Sequence, residues 1–411
     1  MKPEIFDAKK FRFKANALSQ NALSIISRLQ SKKFKAYIVG GGIRDLIEGL
    51  EPKDFDIVTD CEPREIRKLF RNSRIIGRRF KLVHVTFPNE IIEVTTFRSG
   101  QDPQSDSIQI NDKGRIIRDN KWGTQEEDAS RRDLTINSIY YDPLSNEIVD
   151  YTGGVKDLES KKIRFIGNAE QRIIEDPVRI LRVLRFAAKL NFEIEPTIKK
   201  AITNYKSQLL DMSSARIYEE IIKMFLTGHA LKTYQLLQEY GLFDLLFPHL
   251  ENSEENFNDF YENAFIETDQ RLKENKKLNV GFLFAILLWP KVYLKSGISN
   301  RINYKSFYRT MAAVMQKQQN ITAVPRRYSS FIRDVWMNQI RFNKVGKKSI
   351  NFTNNVRFRA SYDFLLLRNS IERNLDKPIN WWTEFKAANY DKKMKLLNEH
   401  KKGLNEKRQY A

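Results

Sequence analysis

The sequence predicts an α+β protein: a mixed-sheet head at the N-terminus, followed by an all-α neck, body and C-terminal region. Before residue 170, short runs rich in β-branched residues alternate with turns. Beyond Glu175, apolar residues recur at i, i+3 and i+4 almost without interruption. The 411 residues also exceed one compact core, so several structural units are expected.

Taken in order, strands are predicted at 36–39, 54–59, 82–87, 91–97, 136–141 and 163–166, each a short β-branched or aromatic run bounded by turn residues. Between them a helix starts at Pro63, which suits a first helical turn, and runs through Phe70. The polar stretch 99–114 reads as a mobile loop. One helix is expected from Glu175 through Phe186. The most apolar run, Val280 to Trp289, is about half the length of a membrane crossing and ends at Pro290, which predicts a buried helix. Four segments follow: a head at 1–170, a neck at 171–250, a body with the C-terminal region at 251–385, and a loosely held basic tail at 386–411.

Composition narrows the partners. The formal net charge of +20 and the pI near 9.7 favour phosphate-rich surfaces, leaving RNA, DNA and acidic membranes open. Cys61 is the only cysteine, so an internal disulfide is excluded. His84, His229, His249 and His400 add no cluster at zinc spacing. The N-terminal stretch lacks an apolar signal core and carries Glu4 and Asp7, which predicts a cytoplasmic protein without membrane attachment.

The chemistry begins where a strand runs into Gly40-Gly41-Gly42 and then Arg44-Asp45. Glycines at a strand-to-helix turn let backbone amides approach phosphate, though they also serve a tight connection. Period two along the next strand places Asp54 and Asp56 on one face among apolar residues. Paired carboxylates there carry a like-charge cost that divalent cations remove, and two Mg²⁺ ions can activate a hydroxyl and stabilise departing pyrophosphate. Glu93, in the otherwise apolar 91–98 run, is the candidate third metal carboxylate. Arg131 and Arg132 are suited to triphosphate oxygens, and Asp133 to a ribose hydroxyl. On the helix after Glu175 a polar stripe of Glu175, Arg179, Arg182 and Lys189 faces a cleft. Asp176 with Arg179 can present acceptor and donors to a base edge; an ordinary Glu175–Arg179 pair is the plainer reading.

Gly-Gly-x-x-Arg-Asp, Asp-x-Asp, Arg-Arg-Asp-x-Thr and Glu-Asp-x-x-Arg, at 41–45, 54–56, 131–135 and 175–179, together resemble the class II tRNA nucleotidyltransferase/poly(A) polymerase family of the DNA polymerase β superfamily. Within it, the segments 75–85, 357–368 and 381–385 resemble bacterial poly(A) polymerases more than CCA-adding enzymes, so the resemblance spans roughly residues 20 to 386. It implies a nucleotidyltransferase head, a neck that recognises the nucleotide base, and adenylate addition from ATP to RNA 3′ ends without a template, promoting RNA turnover. It also implies that Asp54, Asp56 and Asp133 form the catalytic centre, with Asp54, Asp56 and Glu93 on two Mg²⁺ ions. Gly40, Gly41, Arg44, Arg131, Arg132, Asp176, Arg179 and Arg182 would bind the nucleotide. RNA would lie across the helical body, with candidate contacts at Lys344, Lys347, Lys348, Arg357 and Arg359. Tail contacts would come from Lys392, Lys393, Lys395, Lys401, Lys402, Lys407 and Arg408. The implied partners are ATP, messenger, regulatory and structured RNAs, and proteins of RNA decay. A CCA-adding enzyme and a non-catalytic RNA-binding protein are the alternatives.

Overall fold

The computed structural model describes residues 2–11, 17–77, 81–99, 108–110, 116–119, 121–248, 257–296, 303–372 and 375–409, with backbone alone at 108–110, 116–119 and 403–409. Residues 78–80 of the 75–85 segment and most of the 99–114 stretch lie outside this set. So do the side chains of Lys407 and Arg408. The chain divides into two compact units, Met1–Gln208 and Leu209–Ala411. That boundary falls inside the expected 171–250 neck.

The first unit is built on strands β1 (Glu4–Asp7), β2 (Ala36–Val39), β3 (Asp56–Thr59), β4 (Ser73–Ile76), β5 (Leu82–Thr86) and β6 (Ile91–Thr96). These are followed by β7 (Ile108–Ile110), β8 (Ile116–Asp119), β9 (Ile139–Asp142), β10 (Glu147–Asp150), β11 (Lys162–Ile163) and β12 (Glu193–Ile194). Eight form one sheet, in the order β1-β10-β9-β2-β3-β6-β5-β4, antiparallel except where β3 and β6 run parallel. Alternation explains the layers. Ile38, Ile57 and Val94 are wholly buried on one parity, while Val39, Val58, Phe97 and Tyr140 build a core with Ala129 on the other. Its helices are α1 (Gln20–Ser31), α2 (Gly41–Ile47), α3 (Pro63–Leu69), α4 (Gln125–Arg131), α5 (Gly154–Glu159), α6 (Ala169–Glu175), α7 (Arg179–Leu190) and α8 (Pro196–Tyr205).

Several expected elements shift. Asp54 and Phe55 precede β3 rather than belonging to it, and the 136–141 strand starts only at Ile139, after a short 3-10 turn at Thr135–Asn137. The 99–114 stretch contains β7, which pairs with β8. The single helix expected from Glu175 is two: α6 ends at Glu175, Asp176 takes φ −153° and ψ 90°, and α7 begins at Arg179. Pro177 is the cause, because its ring disfavours helical backbone in the residue before it.

The second unit is helical: α9 (Ser214–Phe225), α10 (Ala230–Glu239), α11 (Phe243–Leu246), α12 (Asn258–Lys273), α13 (Val280–Ser296) and α14 (Tyr304–Gln318), then α15 (Arg326–Phe342), α16 (Lys348–Thr353), α17 (Phe358–Arg368), α18 (Asp376–Ala387) and α19 (Tyr390–Gln409). No described helix is long and apolar enough to cross a membrane. Helix α13 does not stop at Pro290 but continues to Ser296. In the turn before the proline two carbonyls also accept from side chains: Tyr261 Oη donates to Leu287 O at 3.1 Å and Trp336 Nε1 to Ala285 O at 3.1 Å. The expected loose tail is also corrected. It forms α19, whose Leu396 and Leu397 are buried with Phe342, Phe352, Trp382 and Phe385. Two adjacent leucines among polar residues were too weak a period to announce a packed helix.

Candidate active site

Strand register assembles the carboxylates. Val39 at the end of β2 stands opposite Asp56 at the start of β3, and Asp56 stands opposite Glu93 in β6, which faces His84 in β5. Residues in register share a face of the sheet, so Asp56 and Glu93 project together. Gly40 continues β2 into α2 with φ +80° and ψ −136°, a backbone that side-chain-bearing residues rarely adopt. A Cβ there would lie 3.8 Å from Asp56 Oδ2 and 4.0 Å from an Arg132 Nη. Gly42 is required by packing instead, since a Cβ would come within 3.0 Å of Asp54 O.

Asp56 is accessible to water, yet protein surrounds it closely. That desolvation, with the charges of Glu93 and Asp54 added, raises its pKa to about 6 against the opposing pull of Arg132. Glu93 is raised for the same leading reason, eased by Arg98 and worsened by Asp54. These oxygens fit a hard divalent cation, which would relieve the repulsion. Among the described residues no three His, Cys, Asp or Glu side chains stand close enough to cage an ion by themselves. Oxygens from substrate phosphate and water have to complete any such shell, as is usual for Mg²⁺.

The arginine wall is held by a residue that sequence reasoning missed. Asp128 on α4 has no exposed surface and accepts from both neighbours: Arg131 Nε and Nη2 at 3.0 and 2.6 Å, Arg132 Nε and Nη2 at 3.1 and 2.9 Å. Tyr140 Oη donates to it at 2.9 Å. Burial pushes the Asp128 carboxyl up, but Arg132 and Arg131 outweigh it and hold it well below the ordinary range. The i, i+3 and i, i+4 spacing on a helix is the signal that could have found it. Arg172, buried on α6, donates to the carbonyls of Arg131 and Arg132 and closes the end of α4. Nothing local in the sequence announces that contact, because the partners are main chain some forty residues earlier.

A second polar chain leads away from the carboxylates. Lys189 of α7 donates to Asp45 at 2.6 Å, and Asp45 accepts from Arg44 at 2.6 and 2.9 Å. Arg44 also donates to Asn137 Oδ1 at 2.5 Å, and Asn137 Nδ2 reaches Asp133 Oδ1 at 3.4 Å. Asp133 Oδ2 accepts from Arg182 Nε at 2.6 Å. Arg44 is buried, stacked 4.7 Å from the Phe186 ring centroid, and bonded to Asp45 and Asn137 beside the glycine turn. Asp133 has one oxygen on Arg182 and the other on Leu134 N at 2.8 Å. Burial raises its pKa, but Arg182 leads the forces that hold it low. Arg179 bonds Arg172 O at 2.7 Å and Glu175 at 2.6 Å, so the plain i, i+4 pair is present. Asp176 caps the end of α6.

A mixed-sheet head with clustered carboxylates beside a glycine turn and an arginine wall defines a nucleotidyltransferase. Family models match residues 36–164 (Poly A polymerase head domain), 191–254 (Probable RNA and SrmB- binding site of polymerase A) and 299–411 (Polymerase A arginine-rich C-terminus). Poly(A) polymerase I of Salmonella typhi is 40% identical over 400 residues, 93% of this chain and 85% of that protein. The chain belongs to the poly(A) polymerase family. Poly(A) polymerase I of Haemophilus influenzae is 36% identical, covering 97% of this chain and 91% of its own. The CC-adding tRNA nucleotidyltransferase of Halalkalibacterium halodurans is 33% identical over 73% of this chain and 71% of that one. Among solved structures, the Bacillus stearothermophilus CCA-adding enzyme with CTP shares the fold at a TM-score of 0.61 and 23% identity, covering 88% of this chain and 80% of that one.

Proposed function

We propose that this chain is a template-independent poly(A) polymerase that transfers AMP from ATP to RNA 3′ ends. The observation that carries the chemistry is the row Gly40, Asp56, Glu93, with Arg132 beside it. The extended identity to Poly(A) polymerase I supports adenylate addition in particular. In this reading Asp54, Asp56 and Glu93 would contribute carboxylate oxygens to Mg²⁺, with phosphate and water oxygens completing the shell, and the ion when bound supplies Lewis-acid stabilisation of the phosphoryl oxygens. The 3′-hydroxyl oxygen bonds the α-phosphorus, the bond to the bridging oxygen of pyrophosphate breaks, and the hydroxyl proton leaves to solvent. Gly40 and Gly41 provide close backbone approach, and Arg131 and Arg132, fixed by Asp128, bind triphosphate oxygens. Asp176, Arg179 and Arg182 take the adenine side, with Asp133 and Arg44 as positioning groups. Catalysis is positioning plus fixed charge. Messenger, regulatory and structured RNAs are the proposed substrates, and RNA-decay proteins the proposed partners.

The test is extension of a labelled single-stranded RNA, and of a tRNA lacking CCA, with Mg²⁺ and either ATP or CTP. Long ladders with ATP on the generic RNA are expected, and their loss in Asp56→Asn with an unchanged circular dichroism spectrum. Two C and one A on the tRNA alone would instead assign the CCA-adding reaction, the second reading. Extension by Asp56→Asn at the native rate would place the metal site elsewhere.

A further inference from the structure

Positive charge is not spread evenly. Residues 275–362 carry seventeen lysines and arginines against one acid, Asp334, which is sixteen of the chain's twenty net charges. Within that stretch lies α14, which has no acidic residue. It also carries Tyr304 and Tyr308, 41% and 47% exposed; the third exposed aromatic side chain among the described residues is Tyr390. Four residues apart on a helix, the two rings stand on one face, one turn from each other.

Neither ring hangs loose. The Lys344 ammonium lies 4.6 Å from the Tyr304 ring centroid. Arg333 donates to Tyr308 Oη at 3.0 Å, its guanidinium 5.9 Å from that ring's centroid. Both tyrosines are therefore held by cations from α15 and the turn after it, and Lys305 and Arg309, both exposed, flank them along α14. A folded protein gains nothing in stability from leaving two aromatic rings in water, and a surface meant only for phosphate needs no rings. Aromatic faces set among cations suit unpaired nucleotide bases, which stack on the rings while the strand's phosphates meet the lysines and arginines.

We propose that the Tyr304–Tyr308 face of α14, with Arg333 and Lys344, is a stacking platform for the unpaired bases of single-stranded RNA. It rests on the adenylyl-transfer reading only for the identity of the strand. A helical duplex keeps its bases stacked on one another and offers this face phosphate alone, so the platform selects single strands.

The experiment measures fluorescence anisotropy of the full chain with a labelled short oligoadenylate and with a blunt RNA duplex, across a salt series. Tyr304→Ala with Tyr308→Ala is compared with the corresponding Tyr→Phe pair. The alanine pair should bind the single strand roughly tenfold more weakly, in line with loss of base stacking, while duplex affinity stays as in the parent. The phenylalanine pair should keep single-strand affinity, because the ring face survives. The slope of affinity against salt should not change, since no phosphate contact is removed. Unchanged single-strand affinity in the alanine pair overturns the proposal, as does an equal loss on the duplex. If oligoadenylate binding behaves as expected but the parent protein extends no RNA with ATP, the platform stands and the polymerase reading falls.

Discussion

Asp128 never touches solvent, and the two arginines that converge on it are the ones proposed to bind triphosphate. Its charge sets their geometry, so it is a positioning residue with a stability signature. Its pKa in the folded protein lies below the unfolded value near 4, so its contribution is complete above about pH 5 and is lost as pH falls through and below about 4. Thermal melts of the parent from pH 7 to pH 3 should therefore fall more steeply than those of Asp128→Asn, which has no charge there to lose. At neutral pH the substitution should cost about 3 kcal/mol, because it leaves two partly buried guanidiniums facing an uncharged amide. Parallel melting curves would show that the carboxylate does not anchor the wall. From sequence, the arginines were legible as a pair; the acid one helical turn before them was not, because a charged residue at that spacing reads equally well as a solvated surface pair.

At the scale of elements, α4 and α6 are joined by one side chain. The guanidinium of Arg172 takes the carbonyls of Arg131 and Arg132, which end α4 and have no helical donor of their own. Arg172→Met should destabilise the first unit by roughly 2 kcal/mol, the worth of charge-assisted bonds to main chain left unmade. Urea unfolding would read this as a lower midpoint at unchanged slope, and an unchanged midpoint would mean that α4 ends without help. The break at Asp176-Pro177 belongs to the same scale. It separates α6, which supports the arginine wall, from α7, whose Arg182 and Lys189 reach Asp133 and Asp45. The polar stripe from Glu175 to Lys189 was legible in the sequence, and its partners were not.

For the whole molecule, the C-terminal segment changes what a truncation experiment can report. A loose basic tail could be trimmed after residue 386 with effects on RNA affinity alone. Here Leu396 and Leu397 are buried against Trp382 and Phe385, so trimming removes part of a core. The trimmed chain should melt several degrees lower even without RNA, since each buried leucine contributes about 2 kcal/mol. Identical melting of full-length and trimmed protein would restore the loose tail. Changing Lys401 and Lys402, which are exposed, is the cleaner probe of charge on this helix.

Some properties of this protein are local and were legible in the chain itself. The α+β order, strand β2, the helix at Pro63, the carboxylates at 54 and 56 and the glycine turn all depend on periodicity, turn chemistry and residue type over a few positions. The family follows from four motifs in sequence. What only tertiary structure decided were the pairings: which strand lies beside β3 and sets Glu93 next to Asp56, which carboxylates hold the arginines, and which part of the tail is core. Those depend on hydrogen bonds and packing between residues far apart in the chain. Residue type says only what a side chain can bond, while the fold decides which of its possible partners arrives first at bonding distance.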